Sequence, residues 1–347
     1  MAILIRDLDD RAAPAWDAFV RAAPDATFFH LSAWARVIRE SFGHSTHYAY
    51  AEQDGSVVGV LPLARMRTHL FGDVLASTPF CVYGGAVAAT PEAATALATH
   101  AVEMQDRLGV PCLEFRRRET ADDGWQTRPP LYFTFRKPIV ITGDDAKDLA
   151  HNIPRKQRAE VRKAIGRGLT AVTDGDVDRL HRIYAESVRN LGSPVFPRRY
   201  FRMLAEAFPD EHDVTTVLHE GRPVAAVLTF HFRDEVLPYY GGGTRAARGL
   251  AASELMYWEV MRRAGQERGA TVFDFGRSKL DTGAFAFKKN WGFVPQQLPY
   301  CYRLGPGAHV PDNNPNNPKY RLLIAAWKRL PLAIANTIGP HLVRGLG

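Results

Sequence analysis

Hydrophobic and polar positions alternate in short runs along this chain, and helical periods recur between those runs. Residues 48–64 alternate on both sides of an Asp-Gly pair, which predicts a β-hairpin with its turn at Asp54 and Gly55. Residues 91–108 are rich in alanine and follow a helical period, and residues 110–116 are predicted to form a strand. Strands that alternate with helices in this way predict an α/β fold.

The stretch 237–293 carries the densest pattern. Aromatic residues and a glycine turn at 239–243 end a predicted strand, and Met256, Val260 and Ala264 mark the apolar face of a predicted helix capped by Ser253. The strand VFDFG follows, and then a loop that reads GAFAFKKNWGF. The loops of this β-α-β unit are therefore expected to gather Tyr, Arg, Asp and Lys side chains at one end.

The order of strands and turns in the first half returns in the second half. The matching segments are 54–63 with 220–230, 82–85 with 239–243, and 107–116 with 267–277. Three matches in the same order predict an internal duplication of one α/β unit. We therefore expect a first domain over 1–137, a second domain with the main site over 138–304, and a Pro/Asn linker with a basic amphipathic tail over 305–347.

The formal net charge of +7 favours an acidic partner, such as a phosphate-bearing substrate, RNA or an anionic membrane surface. Arg155, Arg158 and Arg162 share one side of the predicted helix 151–168, where they either meet phosphates or form an ordinary solvated face. The three cysteines are dispersed and form no CxxC motif, which fits a reducing compartment better than a disulfide framework.

The two ends of the chain bear on its location. Residues 1–14 lack the basic start and apolar run of a secretory signal. In the tail, the uncharged run 330–343 is shorter than the ~20 residues that span a bilayer. The tail's charges are all basic, so it is expected to lie on an anionic membrane surface, to pack across the first domain, or to be disordered. We expect a cytoplasmic protein, on the inner membrane face if the tail binds lipid.

The string DFGRSK at 274–279, followed by GAFAFKKNWGF at 283–293, resembles the C-terminal signature of the FemAB-related proteins. The resemblance extends over residues 28–303 and is nearest to the FemAB-like proteins that accompany exopolysaccharide and PEP-CTERM/exosortase systems. It implies two tandem GNAT-like (acetyltransferase-like) domains with mixed central sheets flanked by helices. It also implies an acyl- or aminoacyltransferase that forms an amide on an amine of a peptidoglycan-type or exopolysaccharide precursor, phosphate-bearing or lipid-linked.

The resemblance also implies roles for residues of the second domain. In FemAB-like enzymes a lysine in a Phe-Lys pair of this loop is the oxyanion partner, and the matching residues here are Phe287 and Lys288, with Lys289 as the adjacent alternative. Asp274 is expected to orient the acceptor amine or accept its proton, and Arg277 to bind a phosphate or carboxylate. A structural ion pair is the alternative for both.

Further positions are expected to contact substrate, and most of them also have an ordinary structural explanation as a strand end, a helix end, a packed side chain or a solvated helix face. These residues are Tyr240, Arg245, Trp291, Arg158, Arg162 and Asn190 in the second domain, with Tyr83 and Arg116 in the first. The resemblance places Asn190 near the acceptor groove, and it makes Glu114 and Arg116 the first-domain counterparts of Asp274 and Arg277.

The expected donor follows from a departure from the acetyltransferase pattern. Acetyltransferases cradle the CoA pyrophosphate with Arg/Gln-x-x-Gly-x-Gly/Ala, but Ala246 stands three residues before Gly249 here. This departure argues against CoA binding and agrees with the resemblance, since FemAB-like proteins generally use aminoacyl-tRNA. The expected donor is aminoacyl-tRNA or acyl-CoA, with no tightly bound cofactor and no metal. The alternatives are an acyl-CoA-dependent N-acyltransferase of exopolysaccharide biosynthesis and a non-catalytic scaffold in an envelope-assembly complex.

Overall fold

Strands and helices follow one another in the order that the sequence pattern predicts. The computed structural model describes residues 2–68, 71–119, 124–127, 130–310 and 321–347. Up to residue 130 the elements are β1 (Leu4–Asp7), α1 (Ala13–Ala22), α2 (Ala33–Phe42), β2 (Ser45–Gln53), β3 (Ser56–Thr68), β4 (Gly72–Ser77), β5 (Val87–Ala88), α3 (Pro91–Leu108), β6 (Cys112–Phe115) and β7 (Gln126–Thr127).

From residue 131 the elements continue through the second half of the chain. They are β8 (Tyr132–Thr134), β9 (Arg136–Pro138), α4 (Asp145–Asn152), α5 (Arg155–Gly166), β10 (Thr170–Asp174), α6 (Val177–Leu191), α7 (Arg198–Ala207), β11 (His212–His219), β12 (Arg222–Phe232), β13 (Glu235–Gly243), α8 (Ala252–Arg268), β14 (Val272–Asp274), β15 (Ser278–Lys279), α9 (Gly283–Asn290), β16 (Gln296–Gln297), β17 (Cys301–Leu304), α10 (Arg321–Trp327) and α11 (Leu332–Val343).

The chain folds into two units. The first comprises Met1–Pro130, Leu298–Asn314 and His341–Gly347, and the second comprises Leu131–Gln297 and Pro315–Pro340. These units differ from the predicted domains because short strands cross the predicted boundaries. Strand β9 pairs with β14 of the second unit, and β17 pairs with β6 of the first. Most of the predicted Pro/Asn linker lies at 311–320, outside the described residues.

In the second unit, the central sheet of the described residues has the order β10-β11-β12-β13-β14-β9. Its strands are antiparallel except for the parallel pair β13 and β14. A side chain at Gly242 would meet Ser187 of α6, and one at Gly241 would meet Tyr257 of α8. Because neighbouring positions of a strand face opposite sides, the sheet is packed between these two helices.

The first unit repeats this arrangement with the strand order β1-β2-β3-β4-β6-β17-β7, in which β4 and β6 are the parallel pair. Its β2-β3 hairpin turns at Asp54 and Gly55 with φ of 52° and 76°, and the β11-β12 hairpin turns at Glu220 and Gly221 with φ of 51° and 73°. Two consecutive positive φ angles define a tight hairpin turn of the kind that the Asp-Gly pair predicted. The expectation of mixed sheets flanked by helices is confirmed in both units.

Three local predictions are wrong. The segment 283–293, predicted as a loop, forms the helix α9 over Gly283–Asn290, whose N-cap Thr282 accepts the N–H of Phe285. The helix α8 begins after Ala251, which has φ of 58° and a methyl side chain, so Ser253 lies inside the helix rather than at its cap. The glycine triplet at 241–243 lies within β13 and pairs with β12, instead of forming a turn. A Cβ at Gly242 would come within 2.5 Å of the Cβ of Ser187, so close helix packing explains the absence of a side chain there.

The tail is divided between the two units, because residues 321–340 belong to the second and 341–347 to the first. In the first unit, the carbonyl of Arg344 is hydrogen-bonded to the imidazole Nε2 of His44 at 2.7 Å, so the end of the tail docks there as one of its predicted alternatives proposed. Residues 321–340 pack on the second unit. The indole N–H of Trp327 donates to the carbonyl of Ser193 at 3.0 Å, and Gly339 lies against Val195. Leu332 packs beside the small core cluster formed by Ala185, Val188 and Val195. Among the residues that the structure describes, none of the helices combines the length and hydropathy needed to cross a bilayer.

Candidate active site

The two parallel strands of the second unit diverge soon after they meet. β13 and β14 pair only at Glu235 with Val272 and at Val236 with Phe273. Strand β13 then continues along β12 to Gly243, while β14 ends at Asp274. The carboxyl ends of strands that part in this way leave an opening where α/β proteins commonly bind ligands.

Lys288 of α9 reaches back to the segment that follows β14. Its Nζ donates to the carbonyl oxygens of Phe275 at 2.6 Å, Gly276 at 3.0 Å and Arg277 at 3.0 Å. An ammonium group has three N–H donors, so these carbonyls engage all of them. By contrast, the neighbouring Lys289 is exposed, with its Nζ over the ring of Phe285 at 5.8 Å. The structure therefore distinguishes two lysines that the sequence left as alternatives.

The surroundings of Lys288 bring its titration close to neutrality. Burial lowers the pKa of Lys288 to about 7; the charge of Asp274 opposes this shift, and that of Arg277 adds to it. At neutral pH the side chain is therefore present both as an ammonium, which can stabilise an oxyanion, and as an amine, which can accept a proton.

Asp274 lies inside the unit and positions the segment that holds Lys288. Its side chain is fully buried, and its Oδ1 accepts the N–H of Gly276 at 2.7 Å. Its Oδ2 lies 3.3 Å from Nε of Arg136, which is also paired with Glu235. The predicted structural ion pair thus forms with Arg136, and Asp274 is linked to Lys288 both by its charge and through the backbone of Gly276.

The other predicted residues in and around α9 pack against aromatic rings. Phe287 is partly exposed and lies 5.8 Å, between ring centroids, from Trp291, which is completely buried. Tyr257 contacts both rings from α8. The guanidinium of Arg277 lies over the ring of Tyr132 at 5.0 Å. Trp291 is therefore a core residue, while Phe287 and Arg277 reach the partly exposed edge of the site.

Lys137 is a second buried lysine that sequence reasoning missed. Its Nζ donates to the carbonyls of Asn152 and Trp291, the latter at 3.2 Å, and lies 4.4 Å from the ring centroid of Phe293. Burial lowers the pKa of Lys137 to about 8. Because Trp291 is the C-cap residue of α9, Lys137 fixes the end of the helix that carries Lys288. A lone lysine in the string FRKP gave no signal of this role.

Tyr240 belongs to an aromatic cluster apart from Lys288. Its hydroxyl is 2.7 Å from that of Tyr200, and its ring has edge contacts with Tyr184, Phe196 and Phe201. Since these partners lie on α6, α7 and the segment between them, Tyr240 serves first to pack that face of the sheet.

The basic helix α5 lies along α8. Arg167, at its end, donates through Nη1 to the carbonyl of Gly249, beside the exposed Arg245. Arg162 is exposed, and Arg158 is partly buried with an Nε that has no hydrogen-bond partner among the described residues. Glu254 lies in the first turn of α8, where burial raises the pKa of its carboxyl, its own backbone N–H opposes the shift, and the charge of Glu160 adds to it.

The remaining predicted residues lie elsewhere. Asn190 is partly exposed near the end of α6, next to the segment that the tail covers. In the first unit, Tyr83 is buried, and the guanidinium of Arg116 is enclosed by Glu114 at 2.6 Å and the carbonyl of Cys81 at 2.8 Å. Arg116 and Glu114 therefore form a buried ion pair within the first unit.

The comparisons with known proteins agree with this architecture. Residues 152–289 match the family model described as Acetyltransferase (GNAT) domain. The chain carries a GNAT domain. This domain spans α5 to most of α9, so it contains β13, β14 and Lys288. The GNAT part of the predicted recognition is confirmed by this match, and the FemAB part is supported at the level of the fold.

Solved structures show the same fold at low sequence identity. FemX superposes with a TM-score of 0.68 at 17% identity, covering 92% of this chain and 100% of FemX. The C-terminal domain of a protein assigned as a lysylphosphatidylglycerol synthetase from Agrobacterium fabrum gives 0.56 at 14%, covering 85% and 92%.

A tandem GNAT protein from the clavulanic acid biosynthesis pathway gives a TM-score of 0.54 at 15% identity, covering 88% of this chain and 100% of that one. The expectation of two tandem GNAT-like domains is thus confirmed. No curated protein matches this sequence significantly.

Proposed function

We propose that the second unit transfers an aminoacyl or other acyl group to an amine of a cell-envelope precursor, with Lys288 as the electrophilic group of the site. The observation that carries this proposal is the Lys288 side chain held by three carbonyls at the carboxyl end of β14, with a pKa of about 7. We infer that the reacting carbonyl enters beside this ammonium, where β13 and β14 part.

The reaction needs no nucleophilic side chain. The acceptor amine attacks the carbonyl carbon of the donor ester or thioester, and the electron pair of the carbonyl moves to oxygen. The Lys288 ammonium stabilises this oxyanion, exchanging one backbone carbonyl for it. The tetrahedral intermediate then collapses: the C=O bond re-forms and the C–O or C–S bond to the donor breaks, while the new C–N bond is kept. The proton lost by the amine passes to the leaving oxygen or sulfur, which departs as a hydroxyl or thiol.

An aminoacyl ester on tRNA is the donor that we favour. The acetyltransferase pyrophosphate pattern is interrupted by Ala246, and the first turn of α8 already holds the carboxylate of Glu254. A carboxylate at this position competes with a phosphate for the positive end of the helix. The basic surface of α5, including Arg162, is suited to a nucleic-acid backbone.

An acyl-CoA donor is the second candidate, and one observation favours it. Nothing lies within 4 Å of a Cβ built at Gly249, and Arg245 and Arg248 are exposed beside it, which leaves this side of the backbone before α8 open to a pyrophosphate. With this donor, the protein would be an N-acyltransferase of exopolysaccharide biosynthesis.

For the acceptor we propose a phosphate-bearing or lipid-linked envelope precursor. The fold shared with FemX and with a protein assigned as a lysylphosphatidylglycerol synthetase supports this class of acceptor. The cationic side chains of α5 support a phosphate on it. A peptidoglycan-type acceptor and an exopolysaccharide acceptor are both consistent with these features.

Donor use tests the proposal directly. Purified protein is incubated with labelled charged tRNA, and separately with labelled acetyl-CoA, each with an extract of envelope precursors. Lys288→Ala is compared with Lys289→Ala, which changes an exposed lysine next to it. Transfer from tRNA that fails only in Lys288→Ala supports the proposal. Transfer from acetyl-CoA alone would identify acyl-CoA, and not aminoacyl-tRNA, as the donor. Transfer from neither donor, together with intact cellular function of Lys288→Ala, would support the scaffold alternative.

A further inference from the structure

The helices α10 and α11 present apolar side chains to solvent, although α10 and most of α11 pack on the second unit. Leu322 is 80% exposed and Leu323 is 66% exposed on α10, while Ile334 and Ile338 on α11 are 44% and 42% exposed. Leu191, at the end of α6, is 64% exposed. Single exposed apolar residues are ordinary, but a run of them on adjoining elements marks an interaction surface.

One face of each tail helix packs on the second unit, and this leaves the opposite face exposed. On α10, the indole of Trp327 is tied to Ser193, and Ile324 lies against Gly192. On α11, Ala335 is buried and Gly339 lies against Val195. Both helices therefore cover the segment 192–195 with one face and hold the opposite face away from it.

The exposed face of α11 follows the period of the helix. Residues 333, 334, 337, 338 and 341 are exposed, whereas 335, 339 and 343 are buried. Ile334 and Ile338 are one turn apart and so project side by side. The core of the unit does not use these side chains.

The charge of the tail selects the partner. Residues 321–347 contain Arg321, Lys328, Arg329 and Arg344 and no Asp or Glu. Lys328 and Arg329 are exposed between the two helices. Arg189 of α6 lies under this connection, with its Nη1 3.4 Å from the carbonyl of Leu330. Apolar side chains next to purely basic ones match an anionic lipid surface, with its acidic headgroups above an apolar interior.

We propose that the outward faces of α10 and α11, with Leu191, form a docking surface for an anionic lipid bilayer. The apolar side chains enter the headgroup boundary, and Lys328 and Arg329 contact the headgroups. This deepens the proposed function by placing the GNAT domain at the surface where lipid-linked precursors lie. Lipid binding is measured without donor or acceptor, so a failure of the docking surface can be distinguished from a failure of the proposed transfer reaction.

Vesicle cosedimentation of the full chain tests the surface. Vesicles with about one-third phosphatidylglycerol in phosphatidylcholine are compared with pure phosphatidylcholine. We expect binding to the anionic vesicles that weakens as salt is raised. The double variants Leu322→Glu with Leu323→Glu and Ile334→Glu with Ile338→Glu should each lose about tenfold or more in partitioning. Lys328→Glu with Arg329→Glu should lose a similar factor on anionic vesicles.

Val294→Glu is the matched control, because Val294 is 71% exposed in the same unit but outside the tail. It should bind like the unchanged protein, and each variant should keep its thermal transition. Lys156→Glu with Lys163→Glu tests the basic helix α5, whose two lysines are exposed. Absence of vesicle binding, equal loss in Val294→Glu, or a loss confined to the α5 variant would each overturn the proposal.

Discussion

The Nζ atom of Lys288 lies 3.0 Å from the carbonyl oxygen of Gly276. The N–H of the same glycine donates to the buried carboxylate of Asp274, which is paired with Arg136. One short segment thus joins a lysine that titrates near neutral pH to an ion pair inside the sheet. The position of Lys288, the candidate electrophile, therefore depends on the ion pair between Asp274 and Arg136.

Replacing Asp274 by Ala should destabilise the protein strongly. The change leaves Arg136 with one carboxylate partner fewer and removes the acceptor of the Gly276 N–H. Breaking a buried pair by removing one partner typically costs about 3–5 kcal/mol. Denaturant unfolding measures the loss, and Asp210→Ala, a change at an exposed carboxylate, serves as the control. If Asp274→Ala unfolds at the same denaturant concentration as the control, Asp274 does not hold this segment.

Lys288 should make stability depend on pH in the alkaline range. Its pKa is about 7 in the folded protein and about 10.5 when it is exposed on unfolding. Between these values the unfolded chain binds the proton that the native protein has lost, so the free energy of unfolding rises with pH by up to ~1.4 kcal/mol per unit. Below pH 7 both states are protonated and the contribution is constant.

Denaturant unfolding at pH 7, 8 and 9 checks this titration. Lys288→Met removes the titrating group and should show a smaller rise than the unchanged protein over the same range. Lys289→Met controls for the loss of a surface charge nearby. Parallel curves for the unchanged protein and Lys288→Met would mean that Lys288 stays charged throughout.

The pH dependence of transfer should reveal which form of Lys288 acts. If the ammonium stabilises the oxyanion, the rate falls as the pH rises through about 7, because the fraction of charged Lys288 decreases. Deprotonation of the acceptor amine has the opposite effect. The ratio of the rates of the unchanged protein and Lys288→Arg isolates the lysine, since arginine keeps its charge.

This ratio should therefore fall between pH 6 and 9, as measured by label transfer with saturating donor. Lys288→Ala should lose about 10²–10³ in kcat, the size of a lost oxyanion donor. A ratio that rises with pH would instead assign Lys288 as a general base.

Local patterns predicted much of this fold because the responsible forces are local. The hairpin turn at Asp54 and Gly55 follows from backbone angles that few residues adopt, and the sequence displays it directly. The pairing of β17 with β6, and of β9 with β14, was not predictable in this way. These strands have three or four residues each, so their periodicity is too brief to read, and each belongs to a sheet far from it in sequence.

The candidate site was predicted only where a local sequence motif identified its residues. The motif identified Lys288 and the end of β14, but it gave Asp274 a role at the substrate that its burial turns into a positioning role. Lys137 and Arg136 were missed, since a lysine and an arginine in sequence reveal neither burial nor partner. The tail's attachment to Ser193 depends on one indole contact that no periodicity reports.

The glycines of β13 provide a test that separates packing from ligand binding. A Cβ at Gly242 would lie 2.5 Å from the Cβ of Ser187, whereas nothing lies within 4 Å of a Cβ at Gly249. Gly242→Ala should therefore destabilise the protein by about 1–3 kcal/mol, the usual cost of overpacking. Gly249→Ala should leave thermal stability nearly unchanged. Adding Ser187→Gly to Gly242→Ala should recover part of the loss, because it removes the atom that the new methyl group meets.

Transfer activity then shows what each glycine does. Gly242→Ala should keep its rate below its unfolding transition, because its contact is with α6 and not with a ligand. If Gly249→Ala lowers transfer from acetyl-CoA while its stability is unaffected, a donor phosphate approaches the backbone at the start of α8. An unchanged melting temperature for Gly242→Ala would mean that α6 yields easily, and the glycine triplet would then need another explanation, with close approach of a ligand to β13 as the first to examine.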